Sequence, residues 1–177
     1  MVALSYEPGA SSDDLAQRLL RQRIVLFTSV ITDETAEQLI AKILRMAKDD
    51  KSYPMRLLVH SPGGGAEASL RILEAMDWIS APIYTHCWGL AGGSTAVIVA
   101  HGAEGHRTAN AQAVFDMLPL RVGCDPLLPI FAEDTGETPK ALATRVAVFS
   151  RLSAGEAQEW GIIDRIVENS EVSARPK

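Results

Sequence analysis

Two glycine-rich segments, SPGGG at 61–65 and GLAGGST at 89–95, each close one apolar run and open another. A strand that ends in a glycine turn and resumes as a helix is a crossover unit, and two in succession demand neighbouring parallel strands. The rest of the chain fits that frame. Apolar Leu15, Leu19 and Leu20 behind Ser12 give an amphipathic first helix over 13–22, and RIVLFTSV from Arg23 reads as a strand. Ala36, Leu39, Ile40, Ile43, Leu44 and Ala47 keep a helical period behind Thr32, Thr35 and the acidic pair Asp33 and Glu34. MRLLVH from Met55 is a strand, 66–78 a helix, IYTHCWG from Ile83 a strand, and 94–100 the start of a buried helix. Beyond Arg107 the pattern loosens, and Pro119, Pro126 and Pro129 exclude a long uninterrupted helix between them. A helix over 140–150, a capping box from Ser153 to Glu156 and the strand IIDRIV complete the reading. The fold class is α/β with a largely parallel sheet.

A chain of 177 residues suits one domain over 1–177, with 1–12 a flexible N-terminal segment and 169–177 a tail. Lys and Arg number 17 against 22 Asp and Glu, a net charge of −5, which argues against a nucleic-acid partner. No charged residue occurs from Trp78 to Ala103, yet Pro82, His86, Gly89, Gly92, Gly93 and Ser94 break that stretch, so it reads as strand, turn and buried helix rather than a membrane span. The first 23 residues carry Glu7, Asp13 and Asp14 and no apolar run of a secretory signal, and Cys87 and Cys124 read as two reduced thiols without metal-ligand spacing. A cytoplasmic protein without metal or cofactor is the expectation.

Glycine turns of this kind aim backbone N–H groups at an anion or a carbonyl oxygen, and a strained strand-to-helix turn is where a nucleophile is exposed. RLLRQRIVLF, LLVHSPGGGAEASLRILEAM, CWGLAGGSTAVIVAHGAEGHR and SAGEAQEWGIID, in that order, resemble the proteolytic subunit of the Clp protease, ClpP, from about Arg18 to Val167. SPGG and S-A-x-E-A-x-x-x-G-x-I-D are its specific signatures. The resemblance implies a spiral, crotonase-like fold of repeated ββα units, serine peptidase activity, rings of seven that stack face to face, and docking to a Clp ATPase. It also implies oxyanion-type backbone donors at Gly64 and Ser94.

The family's catalytic residues do not carry over. Its nucleophile stands four residues after the glycine that matches Gly89, which is Gly93 here. Ser94, one place later, is either a buried helix N-cap or a displaced nucleophile; one residue on a helix turns a side chain by roughly 100°. The histidine falls on Met117 if Pro119 anchors the match and on Leu118 if Gly105 and Arg107 do, and neither accepts a proton. The acid falls on Arg145, which would repel an imidazolium. The four histidines, His60, His86, His101 and His106, all precede that strand and read as strand or helix-end residues.

The family's handle, a strand and a long helix that meet the opposite ring, has only the 16 positions from Pro119 to Thr135 in which to fit. Arg56 and Leu58 stand where tyrosines of the ATPase-docking cleft usually lie. The expectation is therefore a catalytically inactive ClpP-like subunit, structural or modulatory in protein degradation. It would self-associate, with an active ClpP paralogue, a Clp ATPase and unfolded polypeptide as further partners. An active serine endopeptidase using Ser94 is the alternative, and an acyl-CoA-binding crotonase-like protein a remote one. Small and apolar residues over 66–78 and 141–148 suggest lateral subunit contacts.

Overall fold

The structure is a computed structural model that describes residues 12–148 and 150–167; of the terminal segments expected at 1–12 and 169–177, all but Ser12, which opens the first helix, lie outside the described residues. In chain order the elements are α1 (Ser12–Arg21), β1 (Ile24–Phe27), α2 (Asp33–Asp49), β2 (Met55–Ser61), α3 (Ala66–Asp77), β3 (Ile83–Gly92) and α4 (Ser94–Ala100). There follow β4 (Thr108–Asn110), β5 (Val114–Met117), α5 (Leu127–Thr135), α6 (Pro139–Arg145), β6 (Ser150–Ser153), α7 (Ala154–Glu159) and β7 (Arg165–Val167). Strands β1-β2-β3-β4-β7 pair in parallel, as the alternation of strand and helix requires, and β5 joins the far end of β3 before pairing antiparallel with β6. This is the mixed α/β architecture expected of the Clp-type fold.

Burial follows the period of each element. Met55, Leu57 and Val59 of β2 point into the core while Arg56 and Leu58 alternate with them on the partly open face. In α2 the buried stripe is Ala36, Leu39, Ile43 and Met46, and its start is fixed by a reciprocal capping box between Thr32 and Thr35. The same device, Ser153 with Glu156, starts α7. All of α4 is buried, which explains why its segment lacks charge altogether. No helix among the described residues is long and apolar enough to cross a membrane.

Four expectations need correction. Strand β3 runs on through Leu90, Ala91 and Gly92, which pair with Val114, Phe115 and Asp116. The helix expected over 140–150 ends at Arg145, because Ser150–Ser153 is taken as a strand against β5. The last strand is confined to 165–167, since Asp164 folds back on Arg107. Helix α5 was not foreseen: Pro129 is tolerated because it is the third helical residue, where an N–H has no intrahelical acceptor to lose.

A buried arginine joins the late elements to the early ones. Arg107 grips both carboxylate oxygens of Asp164, through Nη2 at 2.6 Å and Nε at 3.1 Å, and its Nη1 donates to the carbonyls of Ala100 and Asp134. One side chain thereby ties the end of α4 to α5 and to the approach of β7.

Candidate functional site

The two glycine turns lie against each other. A Cβ on Gly63 would sit 2.3 Å from the carbonyl oxygen of Gly92, and one on Gly92 would sit 2.4 Å from that of Pro62, so only hydrogen fits at either place. Beneath them Ser61, fully buried, accepts from the Gly63 N–H (3.1 Å) and from the Thr95 hydroxyl (3.1 Å) and donates to the Ser29 carbonyl (2.7 Å). This hub was missed in the sequence; its signal was the pair of hydroxyls flanking the two turns, Ser61 and Thr95.

Gly65 donates to the Ile31 carbonyl, and Ile31 donates to that of Gly63. The Gly64 N–H, between them, and the Ser94 N–H, at the first position of α4, donate to no acceptor among the described residues. Two unspent donors on facing turns are what an oxyanion-type site requires.

Gly93 holds the corner, with φ 51° and ψ −122°, and its N–H donates to Asp116 at 2.7 Å. That conformation costs an L-residue on the order of 1–3 kcal/mol and is the strained strand-to-helix turn on which nucleophiles are displayed. Here a glycine holds that turn, so no side chain stands on it. The space is met by Leu118, whose Cδ1 lies 2.8 Å from where a Gly93 Cβ would be, while Met117 points into the core. Of the two positions the sequence left open for the histidine, Leu118 is thus the one that faces the corner.

Ser94 is not a helix cap; Gly93 is, and makes no side-chain cap bond. The Ser94 hydroxyl, 8% exposed, instead donates to the Gly64 carbonyl at 3.4 Å. No imidazole is hydrogen-bonded to it. His60 accepts from the Leu90 N–H, His86 faces Thr108 Oγ1, His106 stacks on Tyr84, and His101 caps the opposite end of α4. Burial holds the His86 imidazole below its ordinary pKa, against the pull of Asn110 and with the help of Arg56. Arg145, which the resemblance sets against the family's acid, pairs with Glu137 at 2.9 Å and lies over the Trp160 ring at 4.8 Å. Cys87 is buried, its thiol pushed up to about 11 by desolvation, and so is no nucleophile at neutral pH.

Facing glycine turns with free backbone donors, on a parallel sheet and behind a strained corner, define the scaffold of a serine hydrolase of the ClpP type. The Clp protease family model matches residues 7–118, more than half of the chain, and ends where Leu118 faces the corner. The chain is also 31% identical to "ATP-dependent Clp protease proteolytic subunit 1" of Shouchella clausii (strain KSM-K16), over 90% of this chain and 92% of that protein. It belongs to the Clp protease family.

Proposed function

We propose that this chain is a non-cleaving ClpP-type subunit with a structural or modulatory part in protein degradation. The observation that carries the reading is the corner at Gly93: the strained backbone is present, but no hydroxyl stands on it and an alkyl side chain lies against it. A peptide carbonyl seated on the Gly64 and Ser94 N–H groups would be polarised, yet would find no nucleophile in line and no base beside it. The same donors can hold an extended polypeptide without cutting it. An active paralogue in a shared ring, a Clp ATPase and unfolded polypeptide in a cytoplasmic setting are the partners this role calls for.

A serine-reactive fluorophosphonate probe and a fluorogenic peptide test the reading together. No labelling and no turnover are expected from the purified protein. Labelling at Ser94, with turnover abolished by Ser94→Ala, would overturn it in favour of a peptidase with a displaced nucleophile. Ser94 is the less favoured nucleophile because its hydroxyl is directed at a carbonyl rather than at an imidazole.

A further inference from the structure

His101, at the end of α4 remote from the glycine corner, is flanked by acceptors on both sides. Its Nδ1 lies 2.9 Å from Asp134 Oδ2 on α5, and its Nε2 lies 3.0 Å from Asp77 Oδ1 at the end of α3. A neutral imidazole has one N–H and one lone pair, so it satisfies one carboxylate and turns a lone pair on the other. Only the doubly protonated ring donates to both. The end of α4 favours the same state, since unpaired carbonyls collect there.

Three helices meet at this ring, and each contributes charge or dipole. Asp77 comes from α3, the helix terminus from α4 itself, and Asp134 from α5. The loop before β4 contributes Arg107, whose guanidinium takes the Ala100 and Asp134 carbonyls while its own charge is matched by Asp164. His101 and Asp134 are largely shielded from water, with side chains 13% and 16% exposed, whereas Asp77 is 69% exposed. Burial opposes the charge on His101, but the Asp134 and Asp77 carboxylates outweigh it and hold the imidazole above its ordinary value.

We propose that His101 is a pH-sensitive clip: as an imidazolium it fastens α5 to the ends of α3 and α4, and losing its proton breaks one of the two bonds and loosens that tie. The loop 118–126 joins Leu118, at the corner, to the start of α5. The device is independent of whether the subunit cleaves anything. The sign follows from linkage: the clip's stabilisation is fully present below the unfolded pKa, ~6.5, and is lost as pH rises through the higher folded value. Between those two values the opening equilibrium of α5 rises by up to about tenfold per pH unit, and above them it levels off.

Nitrogen-15 NMR of the histidine rings and amide hydrogen exchange of α5, corrected for the intrinsic rate, test this on the intact protein from pH 6 to 9. The His101 ring is expected to titrate above the ordinary imidazole value, with both nitrogens protonated at pH 6, and α5 protection to fall over the interval given above. In His101→Gln that pH response should vanish. Should this variant not fold, Asp77→Asn, at an exposed carboxylate, should move both the imidazole titration and the exchange transition to lower pH. A His101 ring that titrates at or below its ordinary value, or an α5 response that persists unchanged in either variant, would overturn the proposal.

Discussion

At the scale of single residues, Gly93 separates two costs that a serine at this place would incur. Leu118 is 51% exposed and meets the missing Cβ with its Cδ1 at 2.8 Å and its Cγ at 3.4 Å, so a turn of its side chain into water relieves the contact at little expense. The backbone cannot move as freely, being paired to Asp116. Gly93→Ser and Gly93→Ala should therefore destabilise by a similar amount, about 1–3 kcal/mol in urea unfolding. A serine-specific loss well beyond that of alanine would contradict this. Gly93→Ser alone should remain unlabelled by fluorophosphonate, for nothing beside it accepts a proton. The triple variant G93S/L118H/R145D supplies base and acid at the matching positions and is expected to react; equal labelling of the single variant would disprove the assignment of Leu118 and Arg145 to those positions. His86 offers a test by pH. Since burial lowers its folded pKa, stability should be full above ~6.5 and decline as pH falls from there towards the folded value, opposite in sign to His101. His86→Phe should abolish that decline in thermal melts; an unaltered acid slope would assign it elsewhere.

Elements were legible in the sequence where local chemistry decided them and obscure where a partner far along the chain did. Thr32 with Thr35 and Ser153 with Glu156 are complete within four residues: the helix start expected at the first and the capping box expected at the second are both present, and the first is a capping box as well. By contrast β4 is three residues of TAN, made a strand by Cys87 on one side and Ile166 on the other. Lys140 to Ser150 has helical composition, yet Ser150 pairs with Met117, 33 residues earlier, and the ladder overrides propensity. Counting from Gly89 leads to Gly93, which holds the strained corner, but the Ser61 hub and the His101 clip have no such guide, since hydrogen bonds across 34 and 33 residues leave no local pattern. Arg107 is the same kind of long-range feature, and it has a measurable weight. Burial raises the Asp164 carboxyl, but the Arg107 guanidinium and N–H outweigh it and hold the pKa below the usual range. Asp164→Asn should cost on the order of 3 kcal/mol near neutral pH, because it leaves a buried guanidinium unpaired. The sign for pH is that of a depressed carboxylate: the pair's stabilisation is present above ~3.9 and disappears as pH falls through the folded value. Urea titrations of both proteins at pH 7 and pH 3 check this, since the gap between them should narrow in acid; a gap of equal size at both would exclude the ion pair as its source.

For the whole molecule the question is which surfaces are left for other copies. The apolar residues of α3 that suggest a lateral contact are largely spent inside the chain, with Ala68, Ile72, Leu73, Ala75 and Met76 all buried, so that helix offers little apolar surface to a neighbouring subunit. What remains outside includes Trp78 at 80%, Val148 at 69% and Trp88 at 50% exposure, enough to keep side-to-side association in view. Ring stacking is a different matter. Where the family places a strand and a long helix, this chain has the loop 118–126 and then α5, which turns inward and buries Leu127, Leu128, Phe131 and Ala132 against its own core. Only Leu118 and Val122 of that loop are strongly exposed apolar groups. A durable interface needs roughly 1,000 Å² and some 20–30 residues a side, which nine loop residues do not provide. Side-to-side homo-oligomers, without a double ring sealed by interlocking handles, are therefore expected in native mass spectrometry and light scattering at micromolar concentration. A stable particle of fourteen subunits whose two rings meet through residues 119–135 would refute that expectation.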